Sequence, residues 1–137
     1  MQYTKPLPKV NSENEFFWQG CAKQQLLFQI CMKCGFIRWP PSDICPECHE
    51  GETDYVISEG RGRIYTYVVY HQSFLSEFTA DLPYVVSLVE LEEGPRLLTN
   101  IINCDPNSLH CEMPVIVKWE FVGEEISIPK FEPVAKN

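Results

Sequence analysis

Two Cys-x-x-Cys pairs separated by ten residues constrain this chain more than any other feature. They are Cys31-Met-Lys-Cys34, followed by Gly35, and Cys45-Pro-Glu-Cys48. Each pair can aim two sulfurs at one point through a tight knuckle. Gly35 suits the positive φ that such a turn favours, and Pro46 stiffens the second knuckle. Four thiolates make a closed tetrahedral shell, the donor set of a structural Zn2+ site, with no open position for a reactive water. One structural Zn2+ per chain is therefore expected on Cys31, Cys34, Cys45 and Cys48. A mononuclear iron would use the same four sulfurs. A thioredoxin-like pair would need a single motif in a βαβ setting. A c-type haem on Cys45-Pro-Glu-Cys48-His49 would orphan Cys31 and Cys34.

A metal also makes physical sense for the segment that carries it. A piece of roughly 40 residues is marginal as an independent fold, and a metal staple supplies what a small core lacks. The chain holds seven cysteines, an odd count, and its first residues lack the apolar core of a secretory signal. Both features point to a reducing cytoplasm and metal-bound thiolates rather than a disulfide framework. No apolar run approaches the ~20 residues of a membrane span, so no membrane partner is expected.

The net charge is −8, which argues against nucleic acid as a partner, because phosphate binding draws on a basic face. The charge is uneven. Residues 16–42 contain no Asp or Glu but hold Lys23, Lys33 and Arg38.

Residues 1–25 read as an extended arm and a helix. Ser12 and Glu15 fit a capping box, with a short helix expected over about 13–24. Phe16, Phe17 and Trp18 follow one another on it. Each step on a helix turns about 100°, so three consecutive aromatics cannot all face one core. They either cover the neighbouring elements or offer a docking surface for a partner. Residues 26–57 form the cysteine segment.

From residue 58 to 137 the texture is β. Ile64 to Tyr70 is rich in β-branched and aromatic residues. Tyr84 to Glu92 alternates, with Val85, Ser87, Val89 and Leu91 on one face. Leu97 to Ile102 returns after the Glu93-Gly94-Pro95 turn, and Val115 to Val122 pairs with Glu125 to Ile128 around Gly123. Five strands of this length suit a small closed barrel or a small sandwich. Segments 73–83 and 103–114 are loops, and Phe74 and Phe78 in the first are candidate docking or core residues.

No catalytic residue is assigned. Cys21, Cys104 and Cys111 read as apolar core thiols, and His110 beside Cys111 would not face it on regular backbone. The chain has no phosphate-binding Gly-rich loop, no H-E-x-x-H and no G-x-S-x-G.

A set of motifs appears in order: Phe17-Trp18-Gln-Gly20, the two knuckles, Trp39-Pro40-Pro41, Ser58-x-Gly60-x-Gly62, Pro83-Tyr84-Val85-Val86, Leu88-Val89-Glu90-Leu91-x-Glu93-Gly94-Pro95-Arg96-Leu97 and Pro129-x-Phe131-x-Pro133. With these the chain resembles the DUF35 family over about residues 14–134. The resemblance implies a mainly β fold, in which an N-terminal helix and a rubredoxin-like zinc ribbon precede a five-stranded OB-fold barrel. The chain departs from the family after the second knuckle, where His49 stands in place of a small residue or Gly.

The resemblance further implies a non-catalytic accessory subunit of a thiolase-type acyl-CoA enzyme, including thiolases that degrade aromatic compounds, in a hetero-oligomer with two of each chain as the simplest guess. Coenzyme A carries phosphates and an adenine, and Lys33, Arg38 and Trp39 are the candidate contacts by charge-assisted bonds and stacking. The alternatives are an accessory subunit of an enoyl-CoA hydratase, a single-stranded nucleic-acid module of OB type, and a stand-alone acyl-CoA-binding or hydrolysing protein. Lys33 and Arg38 could equally be solvated ribbon residues.

Overall fold

The computed structural model describes residues 9–71, 82–122 and 126–134. Helix α1 runs from Glu15 to Ala22, inside the expected span. Its start differs from the expected capping box, for Asn14 is the N-cap and no side chain caps it. The Asn11 side-chain oxygen accepts from the N–H groups of Glu13 (2.9 Å) and Asn14 (3.0 Å), and the Asn14 side-chain oxygen accepts from Asn11 N–H at 2.8 Å. Two asparagines thus use the local backbone donors in turns of Asx type. Glu15, freed from the box, accepts from Gln19 Nε2 at 3.1 Å.

Three short strands follow in the spatial order β2-β1-β3: β1 (Leu26–Cys31), β2 (Ile37–Arg38) and β3 (Thr53–Ser58). Both pairings are antiparallel, with Gln29 opposite Arg38 and Tyr55, and Cys31 opposite Thr53. The first cysteine knuckle lies between β1 and β2, and the second between β2 and β3.

The remaining strands close into a barrel: β4 (Arg61–Tyr70), β5 (Tyr84–Leu91), β6 (Arg96–Ile101), β7 (Pro114–Phe121) and β8 (Ser127–Pro133). Their order is β4-β5-β6-β8-β7, with β7 returning to β4. The family's five-stranded OB barrel is therefore present. Val85, Ser87, Val89 and Leu91 point inward and are buried, as their alternation required. The β5–β6 turn closes where Glu93-Gly94-Pro95 placed it, with Leu91 N–H donating to Pro95 O at 2.8 Å. The expected turn at Gly123 and the strand start at Glu125 lie outside the described residues.

Ribbon, helix and barrel share one apolar core. Ile64, Val85, Val89, Leu97, Val115 and Phe131 fill the barrel, and Phe17, Cys21, Leu26 and Phe28 extend the same cluster into α1 and β1. The joint between ribbon and barrel is three residues long. Ser58 Oγ donates to Glu93 Oε1 at 2.6 Å, Glu59 N–H donates to Glu93 Oε2 at 3.1 Å, and Gly60 N–H donates to Ser58 Oγ at 3.0 Å. Gly60 has φ +74° and faces Val117 so closely that a Cβ would overlap that side chain. The Ser58-x-Gly60 motif is thus a joint in which backbone must come within contact of the barrel.

Candidate metal centre

The two knuckles have the same backbone construction. Gly35 N–H donates to Cys31 O at 2.9 Å, and His49 N–H donates to Cys45 O at 2.8 Å. Both closing residues are left-handed, Gly35 at φ +79° and His49 at φ +65°. The second knuckle therefore keeps its geometry although His stands where the family commonly has a small residue.

The four cysteine sulfurs lie within 4.8 Å of one another. Cys31 Sγ is 3.4 Å from Cys48 Sγ, and Cys34 Sγ is 3.6 Å from Cys45 Sγ. Four sulfurs around Zn2+ at about 2.3 Å stand roughly 3.8 Å apart, so the set fits a tetrahedral metal ion and needs only small adjustments. No disulfide joins any of them. The Cys34 backbone N–H above all pulls the Cys31 thiol down to about 6. Amides aimed at sulfur favour the thiolate, the form that binds metal. Convergence of all four sulfurs leaves no place for a haem attached through Cys45 and Cys48 alone.

The candidate contacts for coenzyme A are placed differently from one another. Lys33 is exposed and forms an ion pair with Glu50 at 2.9 Å. Trp39 is half-buried, its ring centroid 4.5 Å from Phe17 and 5.7 Å from Phe28. Arg38 corrects the sequence reading, because it is only 3% exposed. Its Nη2 donates to Ser42 O (2.8 Å) and Thr53 Oγ1 (2.7 Å), and its Nε to Ser42 Oγ (3.1 Å). A guanidinium enclosed this way is not offered to a phosphate at the surface.

Among the candidate docking residues, Phe17 is likewise corrected. It is 2% exposed and shares the inward face of α1 with Gly20 and Cys21. Phe16 and Trp18 lie to either side of that face and are half-buried against the core. Phe16 also meets Tyr55 at 4.7 Å between ring centroids. Phe74 and Phe78 lie outside the described residues. Phe17, Trp18 and Trp39 line one wall of a cavity of about 180 Å³ whose other wall is Leu97, Leu98 and Pro129.

Among the described residues, the remaining thiols show no partner for catalysis. Burial pushes the Cys21 thiol up to about 12, the behaviour of an inert core residue. Cys104 is also raised, by burial first and then by Asp105. Cys111 is exposed, contrary to its reading as a core thiol. His110 Nδ1 donates to the Cys111 carbonyl oxygen at 2.9 Å, not to its sulfur.

Glu93 and the polar set Gln29, Ser42 and Thr53 were not singled out from the sequence. The Ser58-x-Gly60 and Glu93-Gly94-Pro95 motifs were the available signal for Glu93. The polar set had none, because its members are far apart in the chain.

Residues 18–54 match the ChsH2 rubredoxin-like zinc ribbon domain, and residues 55–120 match the ChsH2 C-terminal OB-fold domain. The chain belongs to the DUF35 family of zinc-ribbon and OB-fold proteins. It is 40% identical over 96 residues to a DUF35 domain-containing scaffold protein of Methanothermobacter thermautotrophicus, covering 69% of this chain and 71% of that one. It is 36% identical over 129 residues to a probable enoyl-CoA hydratase alpha subunit of Thermomonospora curvata. That match covers 94% of this chain but spans only 40% of the relative's length. A benzoylsuccinyl-CoA thiolase subunit, BbsA of Thauera aromatica, is 27% identical over 82 residues, covering 60% of this chain and 54% of that one. Among solved structures, a chain of an Ltp2-ChsH2(DUF35) aldolase superposes with a TM-score of 0.85 at 36% identity, covering 93% of this chain and 98% of that one.

Proposed function

We propose that this chain is a non-catalytic, zinc-stabilised accessory subunit of an acyl-CoA enzyme, with a thiolase-superfamily partner as the favoured case. The observation that carries this reading is the TM-score of 0.85 to a chain of an Ltp2-ChsH2(DUF35) aldolase. The names of the relatives support the same reading. An aldolase, a hydratase and a thiolase make and break different bonds, yet all three names accompany this ribbon and barrel. A module common to three chemistries supplies something other than the bond-breaking groups. For the hydratase and the thiolase, the shared element is the coenzyme A thioester.

In this reading Cys31, Cys34, Cys45 and Cys48 hold one Zn2+ whose contribution is structural. It fixes the ribbon against α1 and the barrel, and through them the surface shown to the partner. Phe16 and Trp18 belong to that surface, and Lys33 and Trp39 are the groups offered to coenzyme A. Trp39 lines the cavity between α1 and β6, where an apolar or planar group fits beside it. The simplest assembly holds two of each chain and resides in the cytoplasm. Among the described residues no helix is long and apolar enough to cross a membrane.

The test is a pull-down with the tagged chain from its native lysate, followed by mass spectrometry and native mass determination. A stoichiometric thiolase-, aldolase- or hydratase-type acyl-CoA enzyme is expected, and its own sequence would name the substrate class. Recovery of nucleic acid, or of no acyl-CoA enzyme, overturns the reading.

A further inference from the structure

Arg38 is a buried cation with no carboxylate partner among the described residues. Its acceptors are the neutral Ser42 and Thr53, and its Nη1 has no protein partner. None of the ion pairs among the described residues includes it. A buried charge is strongly disfavoured unless an opposite charge compensates it.

The sheet register shows where that charge lies. Arg38 is opposite Gln29 and Thr53 is opposite Cys31, while Gln29 and Cys31 are two residues apart on β1. Cross-strand partners share a face, and so do residues two apart on a strand. Arg38, Gln29, Thr53 and the metal ligand Cys31 therefore share one face of the ribbon. The guanidinium is bonded to the residue facing Cys31. Its other anchor, Ser42, is held to Gln29 in turn, with Ser42 N–H donating to Gln29 Oε1 at 2.9 Å. Ser42 Oγ in turn donates to the carbonyl of Ile44, the neighbour of Cys45, at 2.8 Å. One hydrogen-bonded chain thus runs from the strand position facing the first knuckle to the residue entering the second.

Four thiolates around a divalent ion carry a net charge of about −2. We propose that Arg38 is the buried counter-charge of the loaded four-cysteine centre and positions its two knuckles for closure. This rests on the metal reading of that site.

The test is Co2+ binding by the full chain, followed by thiolate-to-cobalt charge-transfer absorption and competition with a chelator of known affinity. Arg38→Gln keeps polar donors and removes the charge, whereas Arg38→Lys keeps the charge and loses the fork. Lys33→Gln removes an exposed charge between the first two ligands. Arg38→Gln is expected to weaken Co2+ binding by about 10- to 100-fold, the range seen when groups behind metal ligands are removed. Arg38→Lys should retain binding within about threefold and Lys33→Gln within about twofold, the latter because exposed charges are screened. Equal losses in Arg38→Lys and Arg38→Gln, or none in either, overturn the inference. Should Arg38→Gln fail to fold, Arg38→Lys decides alone, and a loss beyond about tenfold sinks the idea. Failure of the wild-type chain to bind Co2+ would instead overturn the metal reading itself.

Discussion

The inward side of β5 reads Val85, Ser87, Val89, Leu91, and only Ser87 carries a polar group, donated to Thr66 O at 2.9 Å. The positions of β1 on the side of the clustered sulfurs read Gln29 and Cys31, with Arg38 and Thr53 across from them. Barrel and ribbon are both sheets, but the first buries side chains that would leave water unaided, and the second buries polar groups and sulfurs. The barrel closes its own ladder and fills it with apolar volume, so its stability is carried within its strands. The ribbon has three strands of two to six residues, and much of what it encloses is stable there only if bonded or metal-bound. Its apolar side is shared with α1 through Phe17, Phe28 and Trp39. The ribbon therefore has one face that a metal on the four cysteines would complete and another that rests on its neighbours.

Metal removal should separate the two regions most sharply. Binding free energy at a structural zinc site is also folding free energy, on the order of 10 kcal/mol for small modules. Cys45→Ser, or a strong chelator acting on the native chain, is expected to unfold residues 26–57 and abolish partner binding while the barrel keeps its amide protection. Hydrogen exchange read residue by residue tests this, and full metal content in Cys45→Ser would discard the four-cysteine assignment. The opposite experiment is Phe131→Ala. Phe131 is fully buried at the centre of β8, and such a truncation costs about 3–5 kcal/mol. Barrel melting should fall steeply while metal stoichiometry in the folded protein stays at one per chain. Loss of the metal from folded protein would mean that the two regions are not separable.

Glu93 sets the next scale, since it joins the two. Replacing it with Ala removes both acceptors of the Ser58 and Glu59 donors. The group is partly solvated, so about 1 kcal/mol is expected rather than the larger value for buried charged bonds. Faster amide exchange at Glu59 and Gly60, with the ribbon and barrel interiors unchanged, would confirm a joint. Uniformly faster exchange would show that Glu93 supports the barrel alone.

How legible each region was follows from the same contrast. The barrel strands are visible because alternation in β5, β-branched and aromatic content in β4 and the turn at Glu93-Gly94-Pro95 are all written locally, and their ends moved by only a few residues. The convergence of the four cysteines is visible because their spacing alone brings two knuckles together. Arg38 was misread because a charge beside Trp39 looks solvent-facing, and the acceptors that allow its burial sit 4 and 15 residues further along the chain. Phe17 was ambiguous because the phase of a short helix depends on what it packs against. The capping box failed because two nearby asparagines supply competing oxygens. Glu93 read only as part of a turn, since its partner Ser58 lies 35 residues away.

The smallest expected effect compares the two knuckles with each other. Both require a left-handed residue after the second cysteine, and the chain uses Gly35 in one and His49 in the other. A left-handed residue with a Cβ costs roughly 1–2 kcal/mol, and glycine offsets part of that through its extra freedom when unfolded, about 0.5–1 kcal/mol. His49→Gly should therefore stabilise the loaded ribbon by about 0.5 kcal/mol, while Gly35→Ala should destabilise it by a similar or larger amount. Thermal melting followed at the cobalt charge-transfer band measures both. A gain in the first and a loss in the second mean that backbone conformation alone sets the difference between the knuckles. A loss in both would show that the His49 ring stabilises the site in a way its exposed position does not suggest, and the symmetry of the two knuckles would have to be given up.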